Sequence, residues 1–311
     1  MAQKIAFVNN KGGSTKTTTT VNLAGAIHKR KPDSKILIVE GDAQGNATRS
    51  FGEDPNNTEV FANTIYDVFM GDITPEEAIY KNIYDGIDIL PANNNMNFIE
   101  FDKMDQFEDD FKTGVVQVIR ALFDQNIDIS VLSDEQLLNA MPNIPSPTKN
   151  YFNMLDGKFD KLDKEYDFIL FDTPPELKAV TSSIIAIADK VVIPYEPDVY
   201  SLDGVKNILD RISVIEEDFN PDLSIAGLLA TKYKKNTKVH SDVVLGVMAF
   251  ANARDIPFFS VMIPNTIRFA SATAYHGVPA TLSKKQNPLI DTYFDLLDEM
   301  ISKGVIDLEV N

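Results

Sequence analysis

The stretch "VNNKGGSTKTTTTVNLA", Val8 to Ala24, decides the fold. The β-rich run before it, "KIAFV", leads straight into Gly12 and Gly13, and Lys16-Thr17 open a segment with helical pattern. A strand-to-helix turn of this composition presents backbone N–H groups and a helix N-terminus to phosphate oxygens. The glycines permit close approach, Lys16 supplies a point charge for the β/γ-phosphates, and the Thr17 hydroxyl is a Mg²⁺ ligand. Gly12, Gly13, Ser14, Thr15, Lys16, Thr17 and Thr18 are therefore the nucleotide-binding candidates. An accidental glycine turn would have no reason to carry Lys-Thr at the junction. Thr15 stands where such loops usually place glycine, and a β-branched residue held at positive φ costs roughly 1–3 kcal/mol. Several N–H groups and two lysines remain to grip phosphate, so binding is expected to be retuned rather than lost.

Outward from the loop, apolar β-rich runs alternate with helical patterns. Strands are expected at Ile5–Val8, Ile36–Glu40, Ile87–Leu90, Phe168–Phe171, Lys190–Ile193, Ile225–Ala230 and Phe258–Ile263, crowded with Leu, Ile, Val and Phe without alternation, as in strands covered on both faces. Helices fit Thr17–Lys29, Leu202–Glu217, Val239–Arg254 and Leu289–Ser302. This order implies right-handed crossovers and an α/β fold: a doubly wound, mostly parallel sheet with helices on both faces and ligands at the carboxyl ends of its strands. Residues 1–311 read as one nucleotide-binding domain. The acidic stretch from about Gln106 to Pro147 breaks the rhythm as a helical insertion, closed by a Pro/Ser/Asn-rich turn, with surface decoration as its ordinary reading.

Composition narrows the class. The 44% hydrophobic and 24% charged residues suit a globular chain with a real core, and the absence of cysteine excludes disulfides and thiolate metal sites. The N-terminal run lacks a signal peptide's cleavage pattern and no apolar run reaches the ~20 residues of a membrane span, so a cytoplasmic protein without a membrane partner is expected. The net charge of −17 argues against general affinity for polyanions. Yet between Lys232 and Lys285 eight Lys/Arg stand against two acids, a local excess of +6.

"KGGSTKTT" (Lys11–Thr18) resembles the deviant Walker A motif of the ParA/MinD group of ATPases, whose additional lysine, matched by Lys11, reaches across a dimer to the other subunit's phosphates. "ILIVEGDAQGNAT" (Ile36–Thr48) resembles the group's D-x-D-P-Q-G-N-A-T segment, and "YDFILFDTPPEL" (Tyr166–Leu177) its Walker B strand and switch. "ADKVVIPYEPDVYSLDG" and "IPNTIRFASATAYHGVP" are similar to ParA-type partition proteins in particular. The resemblance covers nearly the whole chain outside the Gln106–Pro147 insertion. It implies that Lys11, Lys16 and Asp42 are catalytic, with Asp42 positioning the attacking water, and that Asp172 holds Mg²⁺ through water together with Thr17. It implies adenine-side contacts at Pro264 and Thr266, although the group often has asparagine at the latter position and Asn265 is adjacent. Glu40 replaces the first acid of the D-x-D pair and Ala43 its proline.

Within the group, the iron protein of nitrogenase needs cysteines, and MinD-like membrane ATPases end in a basic amphipathic helix where this chain has "ISKGVIDLEVN". With the first strand beginning at Lys4 there is no room for the N-terminal helix-turn-helix of larger partition ATPases. The resemblance thus implies a short ParA-type ATPase that segregates a plasmid or chromosome. Such an enzyme forms an ATP-bound homodimer, binds DNA without sequence preference and so joins the nucleoid, and is weakly active until stimulated by a ParB-type centromere-binding protein. The basic window then supplies the DNA face, with Lys232, Lys234, Lys235, Lys238 and Arg268 as candidates. Two rivals stay open: a nucleotide switch acting on a protein partner without DNA, and a metabolic P-loop enzyme related to dethiobiotin synthetase, against which Lys11 speaks.

Overall fold

The computed structural model describes residues 1–13, 15–125, 127, 132–133, 135, 152–284 and 287–308. Ser14, Lys285 and most of the expected insertion beyond Gln125 lie outside them.

The described strands form a seven-stranded sheet: β1 (Gln3–Phe7), β2 (Ile36–Glu40), β3 (Tyr80–Tyr84), β4 (Ile87–Leu90), β5 (Phe168–Asp172), β6 (Lys190–Tyr195) and β7 (Ser224–Ala230), in the spatial order β3-β4-β2-β5-β1-β6-β7. All neighbours pair in parallel except the edge pair β3–β4. β5 sits between β1 and β2, so three loops converge at one carboxyl edge.

The helices are α1 (Lys16–Arg30), α2 (Asn46–Arg49), α3 (Ile65–Met70), α4 (Pro75–Ala78), α5 (Ile99–Asp124), α6 (Ala179–Ile187), α7 (Ser201–Asp218), α8 (Lys238–Asn252), α9 (Arg268–His276) and α10 (Pro288–Ser302). The alternation of strand side chains creates two cores. Ile5, Phe7, Ile36, Ile38, Phe168 and Leu170 pack with α1 and α10 on one face. Ala6, Leu37, Val39, Ile169 and Phe171 pack with α3, α6 and α7 on the other. Each fully buried side chain of this size contributes about 1.5–3 kcal/mol relative to exposure, which is why the strands read as unbroken apolar runs.

α1, the helix that carries the loop lysine, is clamped from behind. A side chain on Gly25 would collide with Thr281 Oγ1, so only glycine lets the 280–282 turn approach. There Thr281 N donates to Asn22 Oδ1 (3.1 Å) and Thr281 Oγ1 to the Asn22 carbonyl (2.9 Å).

Three expectations change. Phe258–Ile263 is not a strand: Phe258 and Pro264 make only isolated bridges, to Leu228 and Tyr233. The intervening Ser260 and Val261 N–H groups donate instead to the Glu299 carboxylate, at 2.8 and 2.9 Å. β3, "YKNIY", escaped the periodicity because it is a half-exposed edge strand with Asn82 at φ 56°. The helical segment expected from Gln106 begins earlier, inside the 26-residue α5. No described helix is long and apolar enough to cross a membrane.

Candidate functional site

The loop leaving β1 is ordered before it reaches the glycines. Asn9 Nδ2 donates to the Pro194 carbonyl at 2.5 Å, and Asn9 Oδ1 accepts the Lys11 N–H at 2.7 Å. Gly13 (φ 73°) and Thr15 (φ 68°, ψ 20°) both occupy the left-handed region. Thr15 thus keeps the geometry that glycine would adopt freely, and its carbonyl accepts from Thr19 N at 2.8 Å to start α1. Lys16, the first helical residue, is 6% exposed. Burial lowers the pKa of its ammonium, while the Asp172 and Asp42 carboxylates oppose that shift.

Asp172 ends β5 and is completely buried. Its Oδ2 accepts from Thr17 Oγ1 at 2.6 Å, whereas Oδ1 is buried without a hydrogen-bond partner. Burial pushes this carboxyl up to about 7, against the stabilising Thr17 hydrogen bond and the Lys16 charge. A buried carboxylate oxygen left unpaired beside a threonine hydroxyl is what a hydrated divalent cation would satisfy. Among the described residues no group of three or more His, Cys, Asp or Glu could hold a metal. Mg²⁺ characteristically binds through one or two protein oxygens, water and substrate phosphates.

The loop after β2 brings a second acid. Gly41 N donates to the Asp172 carbonyl at 2.8 Å, which sets Asp42 beside the loop, and Asp42 Oδ1 accepts from Gln44 N at 3.0 Å. Glu40, fully buried one residue before this loop, is structural. Its Oε1 accepts from Ala47 N (2.5 Å), and its Oε2 accepts from Thr48 Oγ1 (2.7 Å) and Ala92 N (3.4 Å), tying α2 and the 91–92 turn to β2. Burial pushes its carboxyl up to about 8.

Gly12, Gly13, Thr15, Lys16, Thr17, Thr18 and Asp42 line one open cleft of about 530 Å³, with Arg49, Lys232 and Phe269 among its other walls. Lys11 does not line it. Its ammonium pairs with Asp198 at the end of β6, and that bond raises the lysine's pKa. Pro264 and Thr266 also lie outside the lining. Pro264 bridges Tyr233, and Thr266 accepts from Arg268 N at 3.2 Å beside a separate groove on the other side of α9. The α9 residues that do face the cleft are Phe269, Ala270, Thr273 and Ala274, which lie inside the "IPNTIRFASATAYHGVP" segment although the resemblance assigned its contacts to Pro264 and Thr266.

The basic window divides. Lys234, Lys235, Lys238 and Arg268 are exposed around the loop between β7 and α8 and the start of α9, which the Asn265 N to Tyr233 carbonyl bond (3.0 Å) holds together. Arg254 lies beyond the far end of the 15-residue α8, about 22 Å away at 1.5 Å per residue. Lys232 turns toward the phosphate loop, and its Nζ lies 3.4 Å from Glu196 Oε2.

Comparison with known proteins shows the family and the fold of the chain. The profile of the AAA domain family matches residues 2–128 and 115–225. A ParA family protein of Mycoplasma pneumoniae is 29% identical over 309 residues, spanning 96% of this chain and 97% of that protein. The chromosome partitioning protein ParA of Myxococcus xanthus is 24% identical over 299 residues, spanning 96% and 88%. Cobyrinic acid a,c-diamide synthase from Mycobacterium smegmatis, solved with a bound ATP analog and magnesium, shares the fold with a TM-score of 0.67 at 23% identity, covering 96% of this chain and 93% of that one.

Proposed function

The chain belongs to the AAA domain family as a ParA-type P-loop ATPase, and from that premise we propose that it is a DNA-partition ATPase that binds and hydrolyses Mg-ATP as a homodimer. The observation that carries this reading is the array at the carboxyl edge: Lys16 buried under the loop, Thr17 bonded to Asp172, one Asp172 oxygen unpaired, and Asp42 alongside. When bound, Mg²⁺ would neutralise charge on the β- and γ-phosphates. The chain's own residues do the rest. Lys16 and the loop N–H groups hold the phosphates, Thr17 and Asp172 place the cation's ligands, and Asp42 orients the attacking water.

Lys11 serves the partner's phosphates and not its own, in keeping with its position outside its own cleft. Phosphoryl transfer in the free protein is slow, and a ParB-type partner accelerates it. The loaded dimer binds DNA of any sequence, and so the nucleoid, through the exposed cluster of Lys234, Lys235, Lys238 and Arg268; pairing two such clusters turns weak contacts into a useful affinity. The relative that functions in chromosome partitioning supports the biological direction.

The test is electrophoretic mobility shift with a slowly hydrolysed ATP analogue on two unrelated DNA sequences at several salt concentrations. Affinity should be equal for both sequences and fall with a slope of about −0.9 per phosphate contacted in log K against log salt. Replacing Lys234 and Lys235 by glutamate should weaken binding and flatten the slope while leaving nucleotide binding intact. Unchanged affinity and slope in that variant would remove the cluster from the DNA face.

A further inference from the structure

Four non-glycine residues among the described ones adopt positive φ: Thr15 (68°), Asn82 (56°), Lys232 (49°) and Asp255 (54°). Asparagine and aspartate tolerate this region because their short polar side chains bond locally; β-branched threonine and long-chained lysine enter it less readily. The two less tolerant residues, far apart in sequence, line the same cleft. Backbone strain persists only where the surroundings over-determine it, and it gathers at ligand sites.

The surroundings of Lys232 do over-determine it. Immediately before it, Thr231 N donates to the Tyr195 carbonyl at 2.7 Å, and immediately after it Tyr233 N donates to the Ile263 carbonyl at 2.9 Å. Held between these bonds, the residue sends its ammonium back over the phosphate loop. A Cβ on Gly13 would lie 3.4 Å from Lys232 Nζ. Glu196 is the carboxylate at hand, at 3.4 Å, and the two side chains are 35% and 31% exposed. An ion pair of that length and exposure is weak, and phosphate oxygens compete with it effectively.

The other cations are differently placed. Lys11 faces away, and the Arg49 guanidinium reaches Asp54 at 3.1 Å. A nucleoside triphosphate keeps net negative charge after one divalent cation binds, and Lys16 alone does not balance it. We propose that Lys232 is a nucleotide-binding residue of its own protomer, its ammonium meeting the phosphate chain beside Gly13, and that it takes no part in the DNA-facing surface. The inference rests on the reading that this cleft holds Mg-ATP. The class of ligand is a nucleoside di- or triphosphate: a residue acting within one protomer meets both, whereas the dimer-spanning Lys11 acts on the ATP state alone.

The experiment titrates the full chain with fluorescent mant-ADP and mant-ATP in the presence of Mg²⁺. Lys232→Ala should weaken both nucleotides about tenfold, the effect of losing one charge-assisted hydrogen bond, and Lys232→Arg should recover most of the loss. DNA affinity at saturating nucleotide should stay at the wild-type value. Lys232→Gly keeps the backbone freedom and removes the strain, so it should raise the melting temperature of the nucleotide-free protein while weakening nucleotide as the alanine variant does. That combination excludes misfolding as the cause. Wild-type affinity for both nucleotides in Lys232→Ala, or a melting temperature lowered by Lys232→Gly, would overturn the proposal. If the unmodified protein bound neither nucleotide, the cleft reading itself would fall and the inference with it; if it bound both and Lys232→Ala did so equally, the inference alone would fall.

Discussion

Replacing Glu40 by glutamine should flatten the pH dependence of stability in the nucleotide-free protein. Glu40 is fully buried, and the partners that hold it are two backbone N–H groups and a hydroxyl, without a cation. Burial first, and the neighbouring Asp172 carboxylate as well, push its carboxyl from an ordinary 4.5 to about 8. Between those two values the native chain keeps a proton that the unfolded chain has released. Stability from this group is therefore greatest below pH 4.5, falls as pH rises at about 1.4 kcal/mol per unit, and levels off above pH 8. Over pH 5.5 to 7.5 the full slope would amount to about 3 kcal/mol, and relaxation and water penetration at the buried site reduce it to roughly 1–2 kcal/mol.

Glutamine has the same shape. Its oxygen still accepts from Ala47 N and its amide donates to the Thr48 hydroxyl, but it loses the long contact from Ala92 N, at a cost of about 0.5–1 kcal/mol. The variant should match the natural protein near pH 5.5 and exceed its stability by about 1 kcal/mol near pH 7.5. Urea unfolding followed by circular dichroism at three pH values measures the two slopes. Asp172 titrates in both proteins, so what it adds to the difference is its coupling to the Glu40 carboxyl alone. Parallel slopes would refute the assignment of a buried, proton-holding carboxyl to Glu40.

Three further substitutions probe the phosphate loop and its surroundings. Thr15→Gly relieves a left-handed threonine at about 1–2 kcal/mol and loses about 0.5–1 kcal/mol to backbone freedom. Because the strain is present without nucleotide, the gain should appear as a higher melting temperature of the free protein, and a lower one would show that the Thr15 side chain makes a stabilising contact. Asp42→Ala should bind Mg-ATP and dimerise but release no phosphate in a malachite-green assay; persistent turnover would move the water-orienting role elsewhere. Lys11→Ala should bind mant-ATP yet remain monomeric by light scattering with a slowly hydrolysed analogue, and a normal dimer would remove the lysine from the partner's phosphates.

The sheet and the loop were legible because both rest on local rules. Strands buried on two faces must be apolar throughout, and a phosphate-binding turn needs small residues followed by lysine and a hydroxyl. What escaped depends on distant partners. Nothing in "FFSVMI" reveals that Glu299, some forty residues on, takes the N–H groups a strand would have offered its neighbour. β3 hides because it closes an edge: Tyr80, Ile83 and Tyr84 pack on the core only in part, and their spacing does not alternate. The charge count placed Lys232 with Lys234 and Lys235, but a sequence does not show the backbone turn that points one lysine inward and leaves the next two in solvent. Likewise Asp198, which holds Lys11, is an ordinary loop acid until the β6 edge is brought beside β1.

β5 is paired along its full length on both sides, with Asp172 opposite Phe7 of β1 and Glu40 of β2. A slip of one residue in either ladder would send that carboxylate through to the opposite face of the sheet. Lineages descended from this chain can therefore lengthen the segments before Phe168 or after Asp172, as the long stretch between β4 and β5 already does, but a single-codon insertion inside "FILFD" would separate the acid from the Thr17 hydroxyl in one step. Length variation among relatives should stop at the ends of this strand, and libraries built to diversify the enzyme should leave its five codons in frame and in number.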